Sequence, residues 1–169
     1  MNNKKTNRFI AVLLSLCTML GMLPSFGITA AAAEITAINT VEELKAFRDS
    51  VNSGDNYSGK TVTLNANLDL SGETNWTPIG TSSRPFKGTF DGGNHVIYNL
   101  TINTDNHTDN RYCGLFGYID GAVLQNLGIE DAKIASTDTD VAILSGYAGR
   151  SNIKRCYVTG SVKGYAAVS

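Results

Sequence analysis

Apolar and polar positions alternate along most of this chain in short runs, and the runs themselves recur. Thr61-Val62-Thr63-Leu64-Asn65-Ala66-Asn67-Leu68-Asp69-Leu70 alternates strictly enough to predict a half-buried strand, or two short ones. From Trp76 onward, short β segments are separated by Pro78, Gly80, Gly88, Asp91-Gly92-Gly93-Asn94, Asp120-Gly121 and Gly128, residues that suit tight corners. One stretch departs from the pattern. Leu44, Phe47 and Val51 fall at helical spacing behind Thr40-Val41-Glu42-Glu43, which has the form of a capping box, and Ser53-Gly54 ends the run. This predicts one amphipathic helix of about three turns, placed to cover the first of the β units.

The β units repeat. Gly117-Tyr118, Leu124, Leu127 and Ile129 return as Gly146-Tyr147, Ile153, Cys156 and Val158, all at one constant offset and without a gap. Ile97, Asn99, Leu100 and Ile102 precede Leu124, Asn126, Leu127 and Ile129 at a slightly shorter constant offset, and Asn67-Leu68-Asp69-Leu70 is a fainter copy. A period of this size implies stacked coils, each burying its apolar edge against its neighbours. The expected stack is Leu68/Leu70, Leu100/Ile102, Leu127/Ile129 and Cys156/Val158, with slippage absorbed in the loops.

Residues 1–33 stand apart. Lys4, Lys5 and Arg8 precede an apolar run from Phe9 to Ile28 and then Ala30-Ala31-Ala32-Ala33, the order of a secretory signal. Gly21, Pro24 and Gly27 interrupt the run, which argues against a retained anchor, and Leu16 before Cys17 argues against a lipoprotein signal. Cleavage near Ala33 leaves residues 34–169, enough for one modest domain with a core. It also removes three positive charges and no negative ones, so the formal charge moves from −1 to −4 and nothing basic remains to favour nucleic acid. Cys113 and Cys156 remain; export permits a bridge, but Cys156 stands at an inward position of the repeat, so two buried free thiols are expected.

Taken in order, Trp76-Thr77-Pro78-Ile79-Gly80, Phe86-Lys87-Gly88-Thr89-Phe90-Asp91-Gly92-Gly93-Asn94-His95-Val96-Ile97, Asn99-Leu100-Thr101-Ile102 and Gly114-Leu115-Phe116-Gly117 resemble the GLUG-repeat proteins, which are secreted or surface-attached bacterial proteins. The resemblance runs from Thr40 to the end of the chain. It implies a right-handed parallel β-helix, usually in the amino-terminal or stalk part of a larger exported protein. Some members carry an immunoglobulin-cleaving metallopeptidase or adhesive domains elsewhere. The family has no agreed catalytic residues, so the resemblance assigns none. One unit departs from it: Ile143-Leu144-Ser145-Gly146 puts Ser145 where an apolar, core-facing residue is usual.

Candidate chemistry is sparse. A zinc peptidase needs two histidines one helical turn apart beside a glutamate, whereas His95 and His107 fall in a turn and a polar loop. Asp69, Asp91, Asp120 and Asp140, with Lys154 or Arg155 as base, are the groups a β-helical lyase or hydrolase would use, but they do not recur at one strand position. They read better as turn formers and solvated charges. The loops Asp105-Asn106-His107-Thr108-Asp109-Asn110 and Thr137-Asp138-Thr139-Asp140 are rich in oxygen without EF-hand spacing. Trp76, Phe86, Phe90, Tyr98, Tyr112, Phe116, Tyr118, Tyr147 and Tyr157 suit core packing better than a sugar platform, with Tyr118 and Tyr147 stacked one period apart.

The expectation is therefore an all-β chain, a right-handed parallel β-helix (β-solenoid) with an amino-terminal amphipathic capping helix. Residues 1–33 form the signal, 34–59 the capping-helix region and 60–169 the solenoid. Tyr165-Ala166-Ala167-Val168-Ser169 resembles the lead into another unit, so the chain is expected to be the front of a longer protein. Its function is expected to be that of a non-catalytic, secreted or cell-surface module. It would act as a structural or adhesive stalk or binding region, engaging a protein or glycan through a lateral strand face. No catalytic, cofactor or metal residue is assigned, and neither nucleic acid nor, after cleavage, membrane is a partner. The alternatives are a β-helical carbohydrate-active enzyme, or the front part of a secreted metallopeptidase whose catalytic domain lies beyond Ser169.

Overall fold

The computed structural model describes residues 35–104, 112–137 and 139–164. Its strands are β1 (Ala37–Ile38), β2 (Thr61–Leu64), β3 (Leu68–Asp69), β4 (Thr89–Asp91), β5 (Val96–Tyr98), β6 (Thr101–Thr104), β7 (Tyr112–Cys113), β8 (Phe116–Asp120), β9 (Val123–Gln125), β10 (Gly128–Ser136), β11 (Asp140–Val141), β12 (Ser145–Gly149), β13 (Asn152–Lys154) and β14 (Tyr157–Lys163). A helix, α1 (Val41–Ser53), lies between β1 and β2. The described chain is mostly β, and each of its strand pairings is parallel.

The chain visits the same sheets in turn. One sheet has the order β1-β2-β4-β9-β13 and a second the order β3-β5-β10-β14, with β6 also on β10. Two smaller pairs, β8 with β12 and β7 with β11, complete the set. Successive passes bring equivalent apolar residues over one another: Val62, Phe90, Leu124 and Ile153 in the first sheet, and Leu68, Ile97, Ile129 and Val158 in the second. Alternation puts these inside and their neighbours outside. The rows are closed to solvent until the last pass, where Ile153 is 45% and Val158 43% exposed.

This register corrects one expectation. Leu100 and Ile102 do not lie in a row with Leu127 and Ile129. Instead Ile97 pairs with Ile129 and Ile102 with Ile134, a longer step than residue likeness suggests. The misleading likeness has a physical source, because Asn99 and Asn126 both adopt the left-handed conformation (φ 59° and 54°), and each is followed by a buried leucine. Asparagine tolerates that conformation better than most residues, so two different corners carry the same residues. The rungs are spaced unevenly, since the step from Thr89 to Val123 is longer than the step from Val123 to Asn152.

Helix α1 forms as its sequence dictates. The Glu43 amide donates to Thr40 Oγ1 at 3.2 Å, the Thr40 amide donates to Glu43 Oε2 at 3.2 Å, and Gly54 (φ 121°) ends the helix. Its buried stripe is Leu44, Phe47 and Val51. The Phe47 ring meets Tyr57, Phe86 and Phe90 at centroid distances of 5.0, 5.5 and 5.8 Å, so the helix seats on the aromatic interior of the first passes. Strand β1, ahead of the helix and paired to β2, is an addition to the expected capping region.

The segment Gly114-Leu115-Phe116-Gly117 turns Leu115 and Phe116 fully inward. A Cβ on Gly117 would lie 2.6 Å from the Gly80 carbonyl oxygen, and one on Gly146 2.8 Å from the Cys113 amide nitrogen. Ser145, in register with Phe116, is half-buried and donates its hydroxyl to the Tyr147 carbonyl at 2.9 Å, so it leaves no orphan polar group in the core. Cys113 and Cys156 are not bridged to each other. Cys113 is buried as expected, with Sγ 3.3 Å from Ser136 Oγ, whereas Cys156 is only half-buried because it sits on the exposed last pass.

Candidate functional site

The carboxylates singled out from sequence are engaged one at a time. Asp69 accepts from the Ser71 amide at 2.9 Å and from Asn99 Nδ2 at 2.8 Å. Asp91 accepts from Gln125 Nε2 at 2.6 Å, Asn126 Nδ2 at 2.8 Å and the Gly93 amide at 3.0 Å. Asp120 is gripped by Arg150, whose Nε lies 2.9 Å from Oδ1. Thr139 donates to Asp140 at 3.1 Å. Arg155 turns to the Asn126 amide oxygen, so Asp91, Asn126 and Arg155 make a polar ladder across three passes, not an open acid-base pair. Lys154 lies exposed on β13.

Among the described residues no three His, Cys, Asp or Glu side chains gather as a metal site. His95 Nδ1 sits 3.3 Å from Asn67 Oδ1. His107, the loop Asp105–Asn110 and Asp138 lie outside the described residues.

The aromatic residues divide into two groups. Trp76, Phe86, Phe90 and Phe116 are buried, the Trp76 indole donating to the Leu115 carbonyl at 3.1 Å. Tyr98, Tyr112, Tyr118, Tyr147 and Tyr157 are at least partly on the outside, which corrects their assignment to the core. Tyr118 and Tyr147 do stack, with centroids 4.3 Å apart and planes at 20°, and Tyr112 meets both edge-on. Each turns one face to the other, and Tyr147 remains 41% exposed.

The feature that sequence reasoning missed is a groove of about 170 Å³ lined by Ser71, Asn99, Thr101, Asp131 and Lys133. It forms where the second sheet bends. Asn99 and Asp131 (φ 57°) are both left-handed at that bend, and Thr101 pairs with Lys133 beyond it. The Asn99 amide donates to the Glu130 carbonyl at 3.0 Å and the Asp131 amide to Thr159 Oγ1 at 3.2 Å, so adjacent passes are pinned to each other along the groove. The register that sets Ile97 on Ile129 also aligns Asn99 with Asp131 and Thr101 with Lys133, whereas the likeness of Asn99-Leu100 to Asn126-Leu127 hides both pairs.

No family model matches the chain, and no solved structure does. Among curated proteins it is similar to Halomucin of Haloquadratum walsbyi (strain DSM 16790 / HBSQ001), 27% identical over 137 residues. The match takes in 75% of this chain and 1% of that protein, so the chain spans a very small part of the relative's length.

The carboxylates carry a further consequence. The Asn39 backbone amide holds Glu43 below its ordinary range, the Asn99 side chain does so for Asp69, and hydrogen bonding from Arg150 does so for Asp120. At Asp91 burial pushes upward, but hydrogen bonds from Asn126, Gly93 and Gln125, with the charge of Arg155, outweigh it and leave the carboxyl more acidic than usual. Each group is thus more acidic folded than unfolded. Its stabilisation is present above the unfolded range, about pH 4, and is lost as pH falls through the folded values. Thermal melts are expected to be flat between about pH 7 and 5 and to drop steeply below about pH 4. A melting temperature that held or rose on acidification would contradict these assignments.

Proposed function

We propose that this chain is a non-catalytic, exported β-solenoid module, a right-handed parallel β-helix of the GLUG-repeat kind, that projects or positions a binding surface outside the cell. The observation that carries the reading is the succession of parallel passes in which the carboxylates of Asp69, Asp91 and Asp120 are each tied into turns or inter-pass ladders. Such a scaffold is built for length and lateral surface. Two features agree with it: the Gly-Leu-Phe-Gly corner packs two apolar side chains between close-approach glycines, and the Lys4 to Ala33 segment has the order of a secretory signal. The similarity to a protein named as a mucin supports an extracellular setting.

The reading is tested by expressing the chain with residues 1–33 in place and separating medium, envelope and cytoplasm. The expected product lies outside the cytoplasm and begins near Glu34 by mass spectrometry. The purified product is then incubated with neutral and anionic polysaccharides, and no release of reducing ends or unsaturated products above a blank is expected. Turnover abolished by Asp91→Asn would establish the carbohydrate-active alternative instead.

A further inference from the structure

We propose that the groove lined by Ser71, Asn99, Thr101, Asp131 and Lys133 is a binding site for a neutral glycan, with one sugar ring seated at the bend of the second sheet and the polymer following the stack. The proposal rests on the exported-module reading above and names the ligand class of its lateral face.

The lining selects the ligand chemistry. It offers two hydroxyls, one carboxamide, one carboxylate and one ammonium, a mixture of donors and acceptors whose formal charges cancel. An anionic ligand would meet the Asp131 carboxylate, with Asp69 hydrogen-bonded to Asn99 at the groove's edge. A bare divalent cation finds no cluster of ligands among the described residues. A polyol, whose every hydroxyl both donates and accepts, can use all five side chains.

Size and setting agree. At about 30 Å³ per water, the groove has room for about five or six waters, the scale of one sugar ring. The Asp131 carboxylate and the Lys133 ammonium have no partner among the described side chains, so they are available to a ligand. Asn99, by contrast, is fixed from both sides, its amide nitrogen on Asp69 and its backbone amide on Glu130, which presents its carboxamide oxygen in one orientation. Tyr98 stands one residue before Asn99, in register with both Asp69 and Glu130, on the strand that leads into the groove. The outward row continues along the stack, since Lys133 pairs with Thr101 on one side and Ser161 on the other.

The test uses the isotopically labelled mature chain with three probes: cellopentaose, penta-N-acetylchitopentaose and a pentamer of galacturonic acid. At least one neutral pentasaccharide is expected to shift the amide signals of Asn99, Thr101, Asp131 and Lys133 and to leave those of the Tyr118–Tyr147 face unmoved. Thr101→Val removes a hydroxyl, and Asp131→Asn removes the negative charge and exchanges one acceptor oxygen for a donor, while both suit the local backbone, because valine favours strands and asparagine tolerates positive φ. Each is expected to weaken binding by about tenfold or more, Asp131→Asn with an unchanged melting temperature and Thr101→Val with at most a small drop, since its hydroxyl also donates to the Asn99 carbonyl at 3.3 Å. The proposal falls if neither neutral pentasaccharide shifts these signals, if both variants bind as the parent does, or if only the galacturonate pentamer binds and salt releases it. None of these results bears on export or on the lack of turnover, which the fractionation and product assays above decide separately.

Discussion

Replacing Phe47 by alanine is expected to lower the melting temperature of the protein by about 10–20 °C, corresponding to a loss of about 3–5 kcal/mol. The size follows from where the ring sits. Phe47 is fully buried and is the one residue of α1 in ring contact with three aromatic residues of the coils, Tyr57, Phe86 and Phe90. Phe86 and Phe90 in turn touch Phe116 at 5.5 and 5.4 Å, so the truncation leaves a void at the head of a continuous aromatic column. Leu44 and Val51 remain buried and continue to hold the helix. The Phe47→Leu variant, which restores most of the volume without the edge-on ring geometry, is expected to recover more than half of the loss. Differential scanning calorimetry on the three proteins checks this. Equal melting temperatures for Phe47→Ala and the parent would show that α1 is an appendage and not the cover of the first passes.

The helix was readable because its determinants are local. Thr40 and Glu43 stand at capping-box spacing, and their reciprocal hydrogen bonds follow from that spacing alone. The repeat that carries Gly117 to Gly146 was readable for a related reason: the passes it joins keep one offset from Phe116 over Ser145 to Ile129 over Val158, so Leu124 over Ile153 and Ile129 over Val158 fall into place together. The preceding pass was misregistered because its corner Asn99-Leu100 uses the residues that the next pass uses at Asn126-Leu127. Residue likeness there reported a shared backbone conformation and not a shared position in the stack. The groove went unseen as a consequence. Ser71, Asn99, Thr101, Asp131 and Lys133 form no motif along the chain, and only the register between passes assembles them. The outer tyrosines were misplaced because aromatic content does not report which face of a strand a ring occupies. Alternation within β8, where Ile119 is buried between half-buried Tyr118 and Asp120, carried some of that information.

Gly80→Ala is the second substitution expected to have a large effect, about 3 kcal/mol or more, from two costs that act at the same atom. Gly80 has φ +81°, a left-handed value that costs an alanine about 1–2 kcal/mol. The added Cβ would also press into the Tyr118 carbonyl oxygen and lie 3.1 Å from the Phe86 amide nitrogen. Neither neighbour can yield cheaply. The Phe86 amide donates to the Tyr118 carbonyl at 3.2 Å, and the Gly80 carbonyl accepts from the Tyr118 amide at 3.2 Å, so the methyl would wedge apart two passes at a point where they are bonded in both directions. The Gly80 amide in addition donates to Asn52 Oδ1 at 2.8 Å, which ties this corner to the end of α1. Displacement here is therefore expected to loosen the helix as well as the strands, so native-state hydrogen exchange should accelerate at both Tyr118 and Val51. A Gly80→Ala protein that exchanged faster only at Gly80 and its sequence neighbours would show that the corner is an independent loop and that the passes are not coupled through it.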